Sequence, residues 1–244
     1  MFLASEVSLA PEVTMAATAT RPASTSTPSP AIETPAIQSR VARLRQLAAN
    51  DPDAARVEAW AWFLEAGRRI HRDRAGARAE LGELFRAGEP SRGIDGPTEG
   101  SLVTFTVHPT FDRSVATLTT AWLPWAGKRF DSAAGRGENL ILPSARWPSK
   151  LLWPRYRMRE AGNRLAAFEF VTRVEPGALD PDREVLVIDY ASVPENPALV
   201  IKRIRDELVQ IVPGAHLGKM LWRHRGGARH SLLAYFALTT TNRS

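Results

Sequence analysis

The sequence predicts an α+β, mainly β chain: a small antiparallel β-barrel preceded by a helical segment, with one helix inserted before the last two strands. Three observations carry this expectation. After residue 96, short β-branched and aromatic runs outnumber helical patterns, and most connections are short. Residues 37–87 instead repeat their apolar side chains at three- and four-residue steps. A sheet of many short strands also hides its edges most simply by closing on itself.

In chain order, residues 1–35 are rich in Ala, Thr, Ser and Pro, too poor in large apolar surface to offset the entropy of ordering, and are expected to be a disordered tail. Residues 36–87 form the helical segment expected to pack on the barrel. Val41, Leu44 and Leu47 share a helix face, Asn50-Asp51-Pro52 interrupts and restarts the run, and Trp60, Phe63, Leu64, Ile70, Leu81, Leu84 and Phe85 continue it. The barrel domain is expected over 88–244. Turn chemistry at Gly88–Pro97 opens into the strand Ser101–Val107, and Phe111–Leu123 suits a short helix ended by Pro124. Trp125–Asp131, a glycine-containing turn and Asn139–Leu142 follow, and strands are expected at Arg164–Val174 and Glu184–Tyr190. Asn196 is placed to cap a helix and Pro197 to start it, and Ile201, Ile204, Leu208 and Ile211 give it an apolar face. Pro213-Gly214 ends that helix. His216–Arg223 and Ser231–Thr239 then pair across Arg225-Gly226-Gly227.

Composition narrows the function classes. The formal charge of +6 invites a nucleic-acid reading, but residues 165–215 hold 5 basic against 9 acidic side chains, and only four of the 32 basic residues are lysine. Nucleic acid is therefore not the expected partner. The absence of cysteine excludes disulfides, thiolate metal sites and thiol nucleophiles, and fits a reducing, cytoplasmic setting. No apolar run reaches the roughly 18 residues of a membrane span.

Several short motifs fall in a familiar order: Gly96-Pro97-Thr98-Glu99-Gly100, Gly127-Lys128-Arg129-Phe130, Ile188-Asp189-Tyr190, Leu217-Gly218-Lys219-Met220 and Tyr235-Phe236-Ala237-Leu238. In this order the chain resembles uncharacterised bacterial lipocalin-like β-barrel proteins over about residues 88–240, and more loosely the GXWXG family, with Thr98 where that family has tryptophan. The resemblance implies a small barrel without an established enzyme activity.

Catalytic signatures are sparse. The five histidines lack zinc-ligand spacing, no Gly-x-Ser-x-Gly elbow exposes a nucleophile, and no glycine-rich loop leads into Lys-Ser or Lys-Thr. No metal and no cofactor are expected. Asp189 and Tyr190 are the acid–base candidates: desolvation inside a barrel would raise the Asp189 pKa, whereas a backbone N–H or Arg203 would make it a strand-end anchor. The stretch 147–159 interleaves aromatic and basic residues, which suits stacked single-stranded nucleic acid or an apolar pocket with an anion clamp; the pocket fits a barrel better. Lys128 and Lys219 each follow a glycine and suit a ligand carboxylate or the guarding of a strand edge. The expectation is non-catalytic binding of a small hydrophobic or amphipathic, even acidic, molecule inside the barrel by Trp125, Lys128, Phe130, Trp153, Tyr156, Lys219 and Tyr235. An acid–base enzyme is the alternative, and single-stranded nucleic-acid binding through 147–159 the third. Oligomeric state is not legible.

Overall fold

The computed structural model describes residues 34–106 and 124–241. Within them, eight antiparallel strands follow one another round a closed barrel: β2 (Gly96–Phe105), β3 (Trp125–Asp131), β4 (Arg136–Ile141), β6 (Arg164–Pro176), β7 (Glu184–Asp189), β8 (Ile204–Val212), β9 (Ala215–Arg223) and β10 (His230–Thr240). Closure comes where β10 pairs with β2, Ala234 opposite Phe105 and Thr240 opposite Thr98. Two short strands lie outside this circuit, β1 (Glu89–Pro90) on β8 and β5 (Arg159–Ala161) on β6. The expected mainly β barrel with a preceding helical segment is the observed architecture. The expected helix at Phe111–Leu123 and nearly all of the expected tail lie outside the described residues.

Alternation along the strands divides the protein into two cores. On β10, Ala234, Phe236 and Leu238 point into the barrel, while Tyr235 and Ala237 point outwards. The inner core adds Trp125, Phe130, Phe168, Phe170, Ile188 and Met220. The outer core lies under three helices, α1 (Thr34–Asn50), α2 (Pro52–Arg69) and α3 (Arg74–Arg86). Their Val41, Leu44, Phe63, Leu81 and Phe85 pack on Val103, Val185, Val187, Val209 and Leu217 of the barrel wall. Strands roofed in this way are buried on both faces, which is why Val185-Leu186-Val187-Ile188 reads as an unbroken apolar run. The helix starts are explicit in the sequence. Asp51 accepts from the Ala54 N–H at 2.9 Å and is followed by Pro52, and Asp73 accepts from the Gly76 N–H at 2.9 Å. Under the helices, the Trp62 indole donates to Glu80 at 2.8 Å, and Glu80 is paired with Arg69.

The helix expected from Pro197 to Ile211 is not present. Ile201–Arg203 forms a single 3-10 turn, and Ile204–Val212 is β8, hydrogen-bonded between β7 and β9. Ile204 and Leu208 satisfy both periods, since four residues is one helical turn and also two strand repeats. The charged residues that resemble a solvated helix face are instead matched across the sheet. Arg205 donates to Glu207 at 2.8 Å and to Glu175 at 2.5 Å, and Asp206 faces Lys128 from β3. Asn196 does not cap a helix. Its amide donates to the carbonyls of Glu169 at 2.6 Å and Tyr190 at 2.9 Å, pinning the loop that leads into β8.

Candidate functional site

Among the described residues, the barrel interior holds a polar constellation built around Lys128. Gly127 makes the position possible. It sits at φ +144°, and a Cβ there would lie 2.1 Å from the Thr98 carbonyl oxygen, so only glycine lets β3 approach β2 this closely. A register shift between Trp125 and Gly127 then brings both Trp125 and Lys128 to the inside. Thr98 secures the strand by donating its hydroxyl to the Lys128 carbonyl at 2.8 Å.

Lys128 is fully buried, and its ammonium donates to Asp206 at 2.9 Å, to Asn139 at 2.9 Å and to the Tyr190 hydroxyl at 2.5 Å. Tyr190 in turn donates to Asp206 at 2.8 Å, and the Trp125 indole donates to Asn139 at 3.1 Å. The rings of Trp125, Phe170, Tyr190 and Phe236 surround the ammonium at 5.2–5.5 Å. Burial pulls the Lys128 pKa down while Asp206 pulls it up; burial and the neighbouring Asp206 both push the Tyr190 phenol well above its ordinary value. One carboxylate oxygen of Asp206 is buried with no hydrogen-bond partner among the described residues.

A second feature adjoins this interior. On β6 an extra residue at the Gly137–Asn139 register shift leaves Phe168 at φ +51°, a conformation that costs on the order of 1–3 kcal/mol for a non-glycine residue. The peptide groups at Phe168 are held from both sides: its carbonyl accepts from Asn139 at 3.1 Å, and its N–H donates to Tyr156 at 2.5 Å. Its ring lies between Trp153, edge-on at 5.1 Å, and Tyr156, stacked at 5.0 Å. Beyond them a groove of about 760 Å³ is lined by Leu152, Trp153, Tyr156, Pro197 and Leu199, with Arg155, Arg157 and Glu195. Burial raises the Tyr156 hydroxyl to about 12, so it remains protonated. Arg155 and Arg157 have no acidic partner among the described residues, whereas neighbouring Arg159 is paired with Glu138 and Glu169.

The seven residues expected to line one cavity therefore separate. Trp125, Lys128 and Phe130 are inside the barrel, and Trp153 and Tyr156 form the side of its core that faces the groove. Lys219 and Tyr235 are on the other side of the wall. Lys219 donates to Asp180 at 2.5 Å and lies 4.2 Å from the Phe85 ring, and Tyr235 packs in the outer core. Of the acid–base pair, Tyr190 points inward and Asp189 does not. Burial alone would raise the Asp189 carboxyl, but Ser192, the Ala191 N–H and Arg173 donate to it and hold it below the ordinary range. Arg173 and Arg223, not Arg203, are its ion-pair partners. Asn139 and Phe168 had no recognisable motif; Asp206 reads in sequence as one of two adjacent carboxylates, Asp206-Glu207, on the expected helix after Asp189, not as an acid facing the barrel interior. Among the described residues no group of His, Asp and Glu side chains is arranged to hold a metal ion, and no helix is long and apolar enough to cross a membrane.

No family model matches the chain, and no curated protein matches it. Among solved structures it is similar to a protein from Thermomonospora curvata, with 17% identity, 73% of this chain and 99% of that chain covered, and a TM-score of 0.39.

Proposed function

We propose that this protein is a lipocalin-like binder of a small amphipathic molecule with an anionic head, and that it does no chemistry on that molecule. The observation that carries this reading is the groove beside Trp153 and Tyr156. Its volume lies within the roughly 300–1,000 Å³ usual for small-ligand pockets. Its apolar lining suits an acyl or aromatic body, and Arg155 and Arg157, which have no acidic partner among the described residues, suit a carboxylate or phosphate. The test is titration with a fluorescent fatty acid. Saturable binding that weakens about tenfold in Arg155→Glu and survives in Tyr190→Phe would support the groove. No saturable binding would overturn the reading.

A second reading places the ligand, or an acid–base step, inside the barrel. The unpartnered Asp206 oxygen favours it, because a buried carboxylate oxygen accepts readily from a hydroxyl or amine. Binding lost in Tyr190→Phe but unchanged in Arg155→Glu would move the site there.

A further inference from the structure

The described residues expose six large apolar side chains, and three of them, Trp147, Leu151 and Leu199, stand on or next to the helix Arg146–Leu152, with Leu199 also lining the groove. Trp147 and Leu151 stand four residues apart on one side of the short helix Arg146–Leu152, 79% and 85% exposed. Leu199 is 65% exposed and held next to the helix end, its carbonyl accepting from the Trp153 indole at 3.3 Å. Leu142 precedes the 3-10 turn that leads into the helix. Trp147 and Leu151 do not line the groove. A monomeric protein rarely collects exposed apolar groups of this size without a partner surface.

The charge around the patch indicates which surface. From Arg146 to Arg159 the chain has five basic residues and no acidic one. Lys150, Arg155 and Arg157 have no acidic partner among the described residues, and the Lys150 ammonium lies 5.5 Å from the Trp147 ring. Glu160 is engaged by Arg146, and Glu195 is the acid lining the groove. Exposed tryptophan and leucine set among uncommitted cations is the composition of a segment that lies in a lipid interface, with the indole at headgroup level and the cations drawn to anionic lipid. A nucleic acid would use the cations and leave the leucines without a role.

We propose that the helix Arg146–Leu152 and the loop at Leu199 form a docking surface for an anionic lipid bilayer. The surface adjoins the groove and shares Leu199, Arg155 and Arg157 with it, whereas Trp147, Lys150 and Leu151 lie outside the groove lining and distinguish the two. The test is co-sedimentation of the full chain with vesicles of phosphatidylcholine alone or mixed with phosphatidylglycerol, at low and moderate salt. Binding should require the anionic lipid and weaken as salt rises. Lys150→Glu should weaken it roughly thirtyfold, two charge units at about 1 kcal/mol each. Trp147→Ala combined with Leu151→Ala should weaken it at least about tenfold, and because both side chains are exposed the fold should survive, as circular dichroism would verify. No sedimentation with either vesicle would overturn the proposal, as would binding that the double variant leaves intact. Salt-sensitive binding of labelled single-stranded DNA without vesicle binding would overturn it too, and assign the basic stretch to nucleic acid.

Discussion

Replacing Asp206 by Asn should destabilise the barrel by about 3–5 kcal/mol, the usual cost of removing one partner from a buried ion pair. Both side chains of the Lys128–Asp206 pair are fully buried at 2.9 Å. Without the carboxylate, the ammonium would keep the neutral acceptors at Asn139 and Tyr190. Lysine can escape by losing its proton, which sets a ceiling on the penalty. From an unperturbed pKa of about 10.4, neutralisation at pH 7 costs about 4.6 kcal/mol, at 1.36 kcal/mol per pH unit. The variant should then carry a pH signature. A lysine neutral when folded and protonated when unfolded makes the unfolded chain bind the extra proton, so stability should rise with pH from neutrality until about pH 10.4. Urea unfolding is the assay. At about 1–3 kcal/mol per molar urea, the midpoint should fall by more than about 1 M. Lys128→Met should also be costly, and the double variant should lose much less than the two single losses combined, because no unpaired charge remains. Additive losses, or an Asp206→Asn cost below about 1 kcal/mol without a pH slope, would refute a dry, coupled interior.

Two further expectations rest on other parts of the fold. Burial holds His216 down to about 4, so the unfolded chain takes up a proton near pH 6.5 that the folded chain refuses. Stability should be full above that range and fall by about 3 kcal/mol as pH drops to about 4, a loss that His216→Gln should largely remove from the urea midpoints. Gly127→Ala should cost more than about 1 kcal/mol in thermal or urea unfolding, since it forces a Cβ against the Thr98 carbonyl at a positive φ; an unchanged midpoint would mean that β2 and β3 do not approach so closely.

Features that depend on neighbours a few residues apart were legible without coordinates. The spacing of Val41, Leu44, Phe63 and Leu81, with Asn50-Asp51-Pro52 as the break between two helical runs, determined the helical segment and its apolar sides. The strand lengths and turn chemistry of the second half determined an antiparallel sheet that closes, and the scarcity of lysine singled out Lys128. Three things required the folded chain. Ile204 and Leu208 fit both periods, and their segment became a strand because β7 and β9 supply its hydrogen bonds and Lys128 and Glu175 its ion partners, from 78 and 30 residues away. Lys128 and Lys219 look alike in sequence, yet one is inside the barrel and the other under α3. A wall buried on both faces gives its inner and outer residues the same apolar alternation, and register shifts at Trp125–Gly127 and on β6 at Phe168 change the count locally. Period is a local property of the chain. Which face a residue presents, and what it meets there, is decided by pairing between segments far apart in sequence, and so by the tertiary structure alone.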